Sequence, residues 1–100
     1  MSARKLLYIM RCGTSSLFKI GISTDPRRRC AQLQTGCPYV IKLVFELVMD
    51  TGVKARSVER VVHDHLKAKH AHGEWFSLEE HEVLRLAQSL LHVGQNKKQL

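Results

Sequence analysis

Long hydrophobic runs are missing from this sequence. No apolar segment approaches the roughly 20 residues that a membrane-spanning helix requires, and residues 1–5 lead directly into a strand-like segment rather than a signal peptide. Repeats, linkers and low-complexity segments are also lacking, and the ordinary apolar content excludes disordered and fibrous proteins. We therefore expect a cytoplasmic protein of 100 residues, folded as one domain around a single modest core.

Cysteine is scarce. The chain has an odd number of thiols, at Cys12, Cys30 and Cys37, which is more typical of a reducing compartment than of a disulfide framework. No two cysteines have the Cys-x-x-Cys spacing, and His63 and His65 would lie almost opposite one another on a helix. These patterns give little support to a structural zinc site.

Acidic residues are outnumbered. The formal net charge is +7, and the excess is uneven: through His70 there are thirteen Lys and Arg residues against five Asp and Glu, whereas the remainder has three against four. A one-sided basic excess favours a polyanionic partner, most often nucleic acid. The alternative is a generally soluble basic protein without such a partner.

Two apolar runs near the start predict a β-hairpin. Residues 5–11 and 17–23 are separated by a polar turn that contains glycine. Apolar residues on both faces of these runs indicate an interior position covered by helices. Asp25 is a suitable helix cap and Pro26 a suitable first helical residue, so a helix should follow the hairpin and end near Gly36.

The clearest predicted strand covers residues 39–48. Alternation places one apolar set on a common face, namely Tyr39, Ile41, Leu43, Phe45 and Leu47. Lys42 and Glu46 interrupt the opposite face. One partly polar, solvent-facing side indicates that this strand lies toward an edge of the sheet.

Two helices complete the predicted chain. Residues 53–69 carry an inward apolar stripe at helical spacing. A last helix follows, with Ser77 and Glu80 as its capping box and Gly94 at its end. The order is β-β-α-β-α-α, an α+β fold in one domain over residues 1–94, with a frayed tail over residues 95–100.

Tyr8 and Lys19 are candidates for proton transfer. Alternation places Lys19 and Gly21 on one face of the second strand, and Tyr8 lies on the other arm of the hairpin. A lysine beside a glycine that bares the backbone suits the floor of an anion site. A partly buried lysine can act as or assist a general base, and a phenol can relay a proton. The alternative is a core tyrosine beside a lysine whose ammonium group reaches solvent.

Three consecutive arginines open the first helix. Arg29 is placed to grip a phosphate bidentately and to stabilise developing negative charge. Arg27 and Arg28 point elsewhere around the helix and are more suited to flanking backbone phosphates. The alternative is a solvated charge cluster.

Acidic candidates lie further along the chain. Glu59 and His63 are four residues apart and share a helix face beside the apolar stripe. A single carboxylate with waters and a substrate phosphate is a usual way to hold Mg²⁺, and the alternative is an ordinary surface pair. Trp75 and Phe76 should belong to the core, with Glu74 capping a neighbour or touching the site.

Six motifs occur in order between Leu6 and Phe76. They cover residues 6–8, 19–21, 25–29, 33–36, 59–63 and 73–76. Together they resemble the GIY-YIG nuclease superfamily, in which Leu6-Leu7-Tyr8 would stand for Gly-Ile-Tyr and Lys19-Ile20-Gly21 for Tyr-Ile-Gly. The match is closer to a short phage and bacterial branch, which has Lys-Ile-Gly as its second motif and Gly-Glu-Trp-Phe near its end.

This resemblance implies a small three-stranded antiparallel sheet flanked by helices and metal-dependent cleavage of a DNA phosphodiester bond. By position, Tyr8 would lie near the attacking water, and Lys19 would replace the second tyrosine. Arg29 would stabilise the transferring phosphate. Glu59 would be the sole carboxylate that binds Mg²⁺ or Mn²⁺, with His63 as a second-sphere or proton-handling partner. Both tyrosine motifs depart from the superfamily pattern.

Three functional hypotheses remain. The first is a metal-dependent DNA endonuclease or nickase, in which Arg11, Arg27 and Arg28 follow the DNA backbone. The second is a DNA-binding module that kept the scaffold and lost cleavage, which the basic excess and the altered first motif favour. The third is a protein-interaction domain, for example one that inhibits a nuclease. So small a domain offers little surface for sequence readout, so specificity would come from a homodimer or a protein partner.

Overall fold

The hairpin predicted near the start is present and lies inside the sheet. A computed structural model describes residues 4–49 and 52–96 of the chain. Strand β1 (Lys5–Cys12) pairs antiparallel with β2 (Leu17–Ser23), and Gly13 turns the chain between them with a φ of 58°. Glycine adopts that left-handed conformation without a steric penalty.

The described residues form a sheet of five strands rather than three. After β2 come α1 (Pro26–Gln34), β3 (Ile41–Met49), α2 (Gly52–His65), a 3₁₀ turn (Lys67–Lys69), β4 (His70–His72), β5 (Trp75–Ser77) and α3 (Glu80–Asn96). The strand order is β3-β1-β2-β5-β4, with antiparallel neighbours. The α+β class is confirmed, whereas the three-stranded sheet is wrong because residues 70–77 form a second hairpin on the β2 edge. Strands of three residues are too short for alternation to be recognised.

Strand β3 lies at an edge, as predicted, but a bulge breaks its alternation. Opposite the consecutive β1 residues Ile9 and Met10 lie Phe45 and Leu43, so β3 carries one extra residue between them. The bulge changes the face on which later side chains lie: Leu43 and Phe45 pack into different apolar clusters. The prediction of one common apolar face is therefore wrong. Tyr39 also precedes the strand and is 62% exposed.

The two faces of the hairpin carry different apolar clusters. The main core, on one face, consists of Leu7, Ile9, Phe18, Ile20, Met49, Ala55, Val62, Leu66, Phe76, Leu78, Val83 and Leu90. The second cluster, on the other face, consists of Tyr8, Met10 and Ile41, with Cys30 and Leu33 of α1 packed against it. Helices α2 and α3 therefore cover the main core, and α1 covers the second cluster.

Helix α1 begins as the sequence predicts. The Asp25 carboxylate accepts a hydrogen bond from the Arg28 N–H at 3.1 Å, and Pro26 takes the first helical position. After the helix, the Gln34 side chain accepts a hydrogen bond from the Ile41 N–H at 2.7 Å. This bond ties the end of α1 to the start of β3.

The later helices differ from prediction at their ends. Helix α2 stops earlier than expected, and the 3₁₀ turn follows it. At the start of α3 the Glu79 N–H donates to the Glu82 carboxylate at 2.9 Å, which replaces the predicted cap at Ser77. Helix α3 continues through Gly94, and residues 97–100 of the predicted tail lie outside the described residues. Among the helices of the described ranges, none has the length and apolar character to cross a membrane.

Candidate active site

Gly21 is the point at which the side chains of Tyr8 and Glu74 meet. It lies opposite Tyr8 in the β1–β2 pair. A Cβ atom on Gly21 would come to 2.6 Å from the Tyr8 hydroxyl and 2.9 Å from Glu74 Oε1. These separations are too short for any real side chain, because protein interiors tolerate little overlap. The glycine therefore leaves the space in which a phenol and a carboxylate approach each other.

Lys19 is held inside the protein by an ion pair. The residue is 6% exposed, and its Nζ donates to Glu74 Oε1 at 2.9 Å. Lys19 lies opposite Trp75 of β5, with Nζ 5.8 Å from the centre of the indole ring. This register places Glu74, the residue before Trp75, where its carboxylate can pair with Lys19. A buried ammonium group needs such a partner. The alternative of a lysine that reaches solvent is excluded by this burial.

Arg29 approaches the same point from α1. The residue is exposed, but its guanidinium interacts electrostatically with the Tyr8 phenol. Burial and the negative charge of Glu74 raise the pKa of Tyr8 above its ordinary value, although Arg29 opposes the shift. The phenol therefore keeps its proton at neutral pH and is available as a hydrogen-bond donor.

Arg28 and Arg27 have different surroundings. Arg28 and Arg29 line a polar pocket of about 240 Å³, together with Ser23, Thr24, Asp25 and Gln32. Arg27 is exposed and does not line the pocket. Arg29, whose charge also acts on Tyr8, is therefore shared by this pocket and the candidate site.

Glu59 lies on α2 and interacts electrostatically with Glu74, His63 and Lys19. Burial, followed by the negative charge of Glu74, raises the pKa of Glu59, while the charges of His63 and Lys19 oppose the shift. The Glu59 Oε2 atom is buried and has no hydrogen-bond partner among the described residues. A buried oxygen without a partner destabilises the protein unless a ligand supplies one.

The carboxylates of Glu59 and Glu74 fit a hard divalent cation. Mg²⁺ is usually held by one or two carboxylates, waters and substrate phosphates, and the unpartnered Glu59 Oε2 offers a free ligand atom. In the described ranges, no three or more His, Cys, Asp and Glu side chains are grouped to hold a metal ion. A structural zinc site would require four ligands of those types.

His63 anchors α2 to the edge of β2. Its Nε2 donates to the Ile20 carbonyl oxygen at 2.8 Å, and its ring packs edge-on against Phe76 with centroids 4.9 Å apart. The Ile20 N–H in turn donates to the Glu74 carbonyl oxygen at 3.1 Å. Both polar groups of the Ile20 backbone are thus satisfied, by the two segments that carry Glu59 and Glu74.

Arg11 is engaged at the turn of the first hairpin. Its guanidinium donates to the carbonyl oxygens of Ser15 at 2.8 Å and Thr14 at 3.0 Å. It also contacts Glu80 at 3.3 Å and lies 5.2 Å from the centre of the Phe18 ring. The predicted contact between Arg11 and the DNA backbone stays a prediction.

Glu74 is the site residue whose role was predicted least clearly from the sequence. It was expected only to cap a neighbour or touch the site, yet it pairs with Lys19 and raises the pKa of both Tyr8 and Glu59. A usable signal was the predicted partial burial of Lys19, since a buried ammonium group calls for a carboxylate. We call Tyr8, Lys19, Arg29, Glu59 and Glu74 together the Gly21 site.

Comparison with known proteins identifies the family. A family model, the T5orf172 domain, matches residues 5–91. No match was found among curated proteins or among solved structures. A match over this much of the chain suggests interaction with DNA and a nuclease-like or DNA-binding role. The chain belongs to the T5orf172 domain family, a phage-type family associated with nuclease-like proteins.

Proposed function

We propose that this protein is a metal-dependent DNA endonuclease or nickase of the GIY-YIG type, with the Gly21 site as its active site. The observation that carries the proposal is the meeting of Tyr8 and Glu74 at one glycine. Lys19 pairs with Glu74, and the charges of Arg29 and Glu59 also act on Tyr8. These groups come from β1, β2, α1, α2 and the β4–β5 turn. Charged and phenolic groups from five separate segments, two of them carboxylates with interacting charges, are more typical of a site than of packing.

Tyr8 and Glu74 handle the proton of the attacking water. The phenol and Glu74 Oε1 both lie within 2.9 Å of the point that a Gly21 Cβ would occupy. Because the Tyr8 phenol is protonated at neutral pH, it acts as a relay and not as the final acceptor: it gives its proton to Glu74 while its oxygen takes one from the water. Lys19 holds Glu74 in place through its 2.9 Å contact.

Arg29 binds the phosphate that is cleaved. Its guanidinium has five N–H donors in a planar arrangement that suits phosphate oxygens. Because Arg29 is exposed, these donors can reach a substrate. Charge that develops on the phosphate oxygens in the transition state is then stabilised by a cation whose charge also acts on the phenol.

Glu59 would hold the metal ion, in the field of the Glu74 charge that acts on it. A bound Mg²⁺ or Mn²⁺ supplies positive charge that polarises the phosphate and favours deprotonation of water. Glu59 contributes the unpartnered Oε2 atom. His63 acts through Glu59 as a positioning residue, because its bond to Ile20 holds α2 against β2.

The experiment that tests this proposal is cleavage of supercoiled plasmid DNA with Mn²⁺ or Mg²⁺. We expect the wild-type protein to nick or linearise the plasmid only when metal is present. Glu59→Gln should abolish cleavage while leaving DNA binding intact. Asp64→Asn is the matched control, because Asp64 is an exposed carboxylate on the same helix. Plasmid left intact by wild type, or cut equally by Glu59→Gln, would refute the proposal.

A second candidate function is DNA binding without cleavage. The observation that favours it is that Arg27 and Arg28 are exposed on α1, where they can reach phosphates whether or not the Gly21 site is active. This function predicts salt-sensitive binding without metal, with log affinity falling by about 0.9 per phosphate contact against log salt. Affinity for duplex DNA that does not change when Arg27 to Arg29 are replaced by alanine would exclude it.

A further inference from the structure

Trp75 and Phe76 are neighbours in β5 with different surroundings. Phe76 is buried and belongs to the main core. Trp75 is only partly buried, and it belongs to neither apolar cluster of the described residues. The expectation of a core position therefore holds for Phe76 and not for Trp75. A partly accessible tryptophan that fills no core is more typical of a binding surface.

The register of β5 places Trp75 beside the Gly21 site. Trp75 lies opposite Lys19 in the β2–β5 pair, and directly opposed residues of antiparallel strands lie on the same face of a sheet. The indole therefore shares the face of Lys19. Lys19 Nζ lies over the ring, 5.8 Å from its centre, and the same Nζ pairs with Glu74. The ring is thus held against a cation of the site.

A bulge brings His72 to the same face. His70 lies opposite Phe76 and His72 lies opposite Trp75, so one extra β4 residue separates the two pairs. Residues two apart share a face in a regular strand, but here the His70 ring packs edge-on against Phe76, with centroids 5.6 Å apart, and His72 lies across from Trp75. We call Lys19, Trp75 and His72, which cross three neighbouring strands, the Trp75 row.

The Trp75 row runs from the Gly21 site to an open edge of the sheet. Strand β4 is the outermost strand on this side, and all of its residues are exposed. Helix α1 contacts β1, β2 and β3, which lie toward the other end of this face. A partly exposed aromatic ring next to basic side chains is the combination by which proteins bind unpaired nucleic-acid bases.

We propose that the Trp75 row binds an unpaired nucleotide of the DNA substrate, whose base stacks on the exposed part of the indole ring. This inference rests on the proposed function of the Gly21 site. In a continuous duplex the bases are stacked on one another, so a base must leave the stack before it can meet a side chain. DNA with a single-stranded overhang, flap or gap beside the cleaved phosphate is therefore the preferred substrate, and a continuous duplex is the poorer one.

The test uses the intrinsic fluorescence of the protein, because Trp75 is the only tryptophan of the chain. Wild-type protein is titrated in metal-free buffer, so that cleavage plays no part, with a DNA hairpin that carries a short single-stranded thymidine overhang. We expect saturable quenching of the emission, because a stacked base quenches indole fluorescence. The blunt form of the same hairpin should not quench.

An overhang of abasic sites is the matched control DNA, because it keeps the phosphates and lacks the bases. It should bind more weakly than the thymidine overhang and should not quench. Quenching by the blunt hairpin or by the abasic overhang that equals quenching by the thymidine overhang would overturn the proposal. An absence of quenching with all three DNAs would overturn it as well.

Variants give a second measurement of the same contact. Trp75→Leu should weaken binding of the thymidine overhang by roughly 5- to 100-fold and leave binding of the blunt hairpin unchanged, as measured by anisotropy of labelled DNA. Trp75→Phe should recover part of the loss, because phenyl rings also stack. Tyr39→Leu is the control, since Tyr39 is an exposed aromatic residue outside the row. Equal losses on both DNAs would contradict the proposal, and the wild-type fluorescence decides it even if Trp75→Leu fails to fold.

The two proposals fail separately. Metal-dependent plasmid cleavage without base-dependent quenching would support the nuclease and overturn the role of the Trp75 row. Base-dependent quenching without cleavage would support the row as a binding site for unpaired DNA and refute the nuclease.

Discussion

The two faces of the β1–β2 hairpin are stabilised in different ways. Phe18 and Lys19 are neighbours in the chain, lie on opposite faces and are both nearly inaccessible, at 2% and 6% exposure. Phe18 enters the main core, where burial of apolar surface is itself favourable. Lys19 is buried only because Glu74, 55 residues later, supplies a counter-charge. The main core therefore serves stability, and the opposite face depends on partners that the tertiary fold brings together.

We expect the largest effect on the free energy of unfolding from truncating a buried side chain of the main core. Leu7 in the main core and Met10 in the second cluster are both fully buried. Leu7→Ala should lower the free energy of unfolding by about 2–5 kcal/mol. Met10→Ala should fall at the lower end of that range, because the second cluster is small and partly exposed around its edge, so it can collapse onto the cavity. Urea denaturation of the two variants measures the difference. An equal or larger loss for Met10→Ala would show that the second cluster contributes as much to stability as the main core.

Gly21→Ala tests the crowding on the second face. The added methyl group would meet the Tyr8 hydroxyl at 2.6 Å, so the phenol and the Glu74 carboxylate must move apart. We expect a loss of about 1–3 kcal/mol in unfolding free energy and a larger proportional loss of plasmid cleavage. Gly36→Ala is the control for crowding, because no atom lies within 4 Å of its added Cβ. Its φ of 81° adds backbone strain to that variant. Unchanged cleavage by Gly21→Ala would show that the phenol and carboxylate are not jointly required.

Glu59→Gln should stabilise the metal-free protein while removing its response to metal. Burial and Glu74 raise the pKa of Glu59, so the stabilisation linked to this group is present below the ordinary carboxyl pKa of 4.5 and is lost as the pH rises through the raised value. The variant, which cannot ionise there, should melt roughly a few degrees above wild type at neutral pH and show little advantage near pH 4.

Mn²⁺ should reverse this order. Binding to the folded state stabilises wild type by mass action, whereas Glu59→Gln lacks the negative oxygen and should gain little. Asp64→Asn, on the exposed side of α2, should gain stability from Mn²⁺ as wild type does. Thermal denaturation with and without Mn²⁺ provides the values, and a Glu59→Gln variant that is less stable than wild type in metal-free buffer at pH 7 would contradict the account.

The smallest predicted effect concerns the exposed arginines. Arg28→Ala should weaken duplex binding more than Arg27→Ala, because only Arg28 lines the polar pocket beside Arg29. Each change should reduce the salt slope of binding by at most about 1. Fluorescence anisotropy of a labelled duplex at several salt concentrations measures both quantities. Equal effects of the two substitutions would remove the pocket from the DNA contact.

Local signals in the sequence predicted much of the fold. The hairpin, the Asp25 cap and the edge position of β3 follow from alternation and capping chemistry, which act over a few residues. The β4–β5 hairpin and the β3 bulge were not predicted, because three-residue strands and a one-residue register shift leave no periodic signal. Both features depend on pairing with strands far away in the chain.

The site was predicted unevenly for the same reason. Residue types and the family resemblance pointed to Tyr8, Lys19, Arg29 and Glu59. In the folded protein these groups interact electrostatically with Glu74 or with one another. Glu74 was placed only loosely, because its importance arises from the β2–β5 register that sets it beside Lys19. Residue type can suggest a chemical group, whereas its partner is determined by tertiary pairing.

The position of Mn²⁺ in crystals of the protein bound to a short DNA duplex, located by anomalous diffraction, would show directly whether the Gly21 site is the active site. We expect an anomalous peak within bonding distance of Glu59 Oε2, with a DNA phosphate between the ion and Arg29, and no such peak in Glu59→Gln crystals. A Mn²⁺ ion bound away from Glu59, or DNA whose phosphates do not approach Arg29, would contradict this assignment.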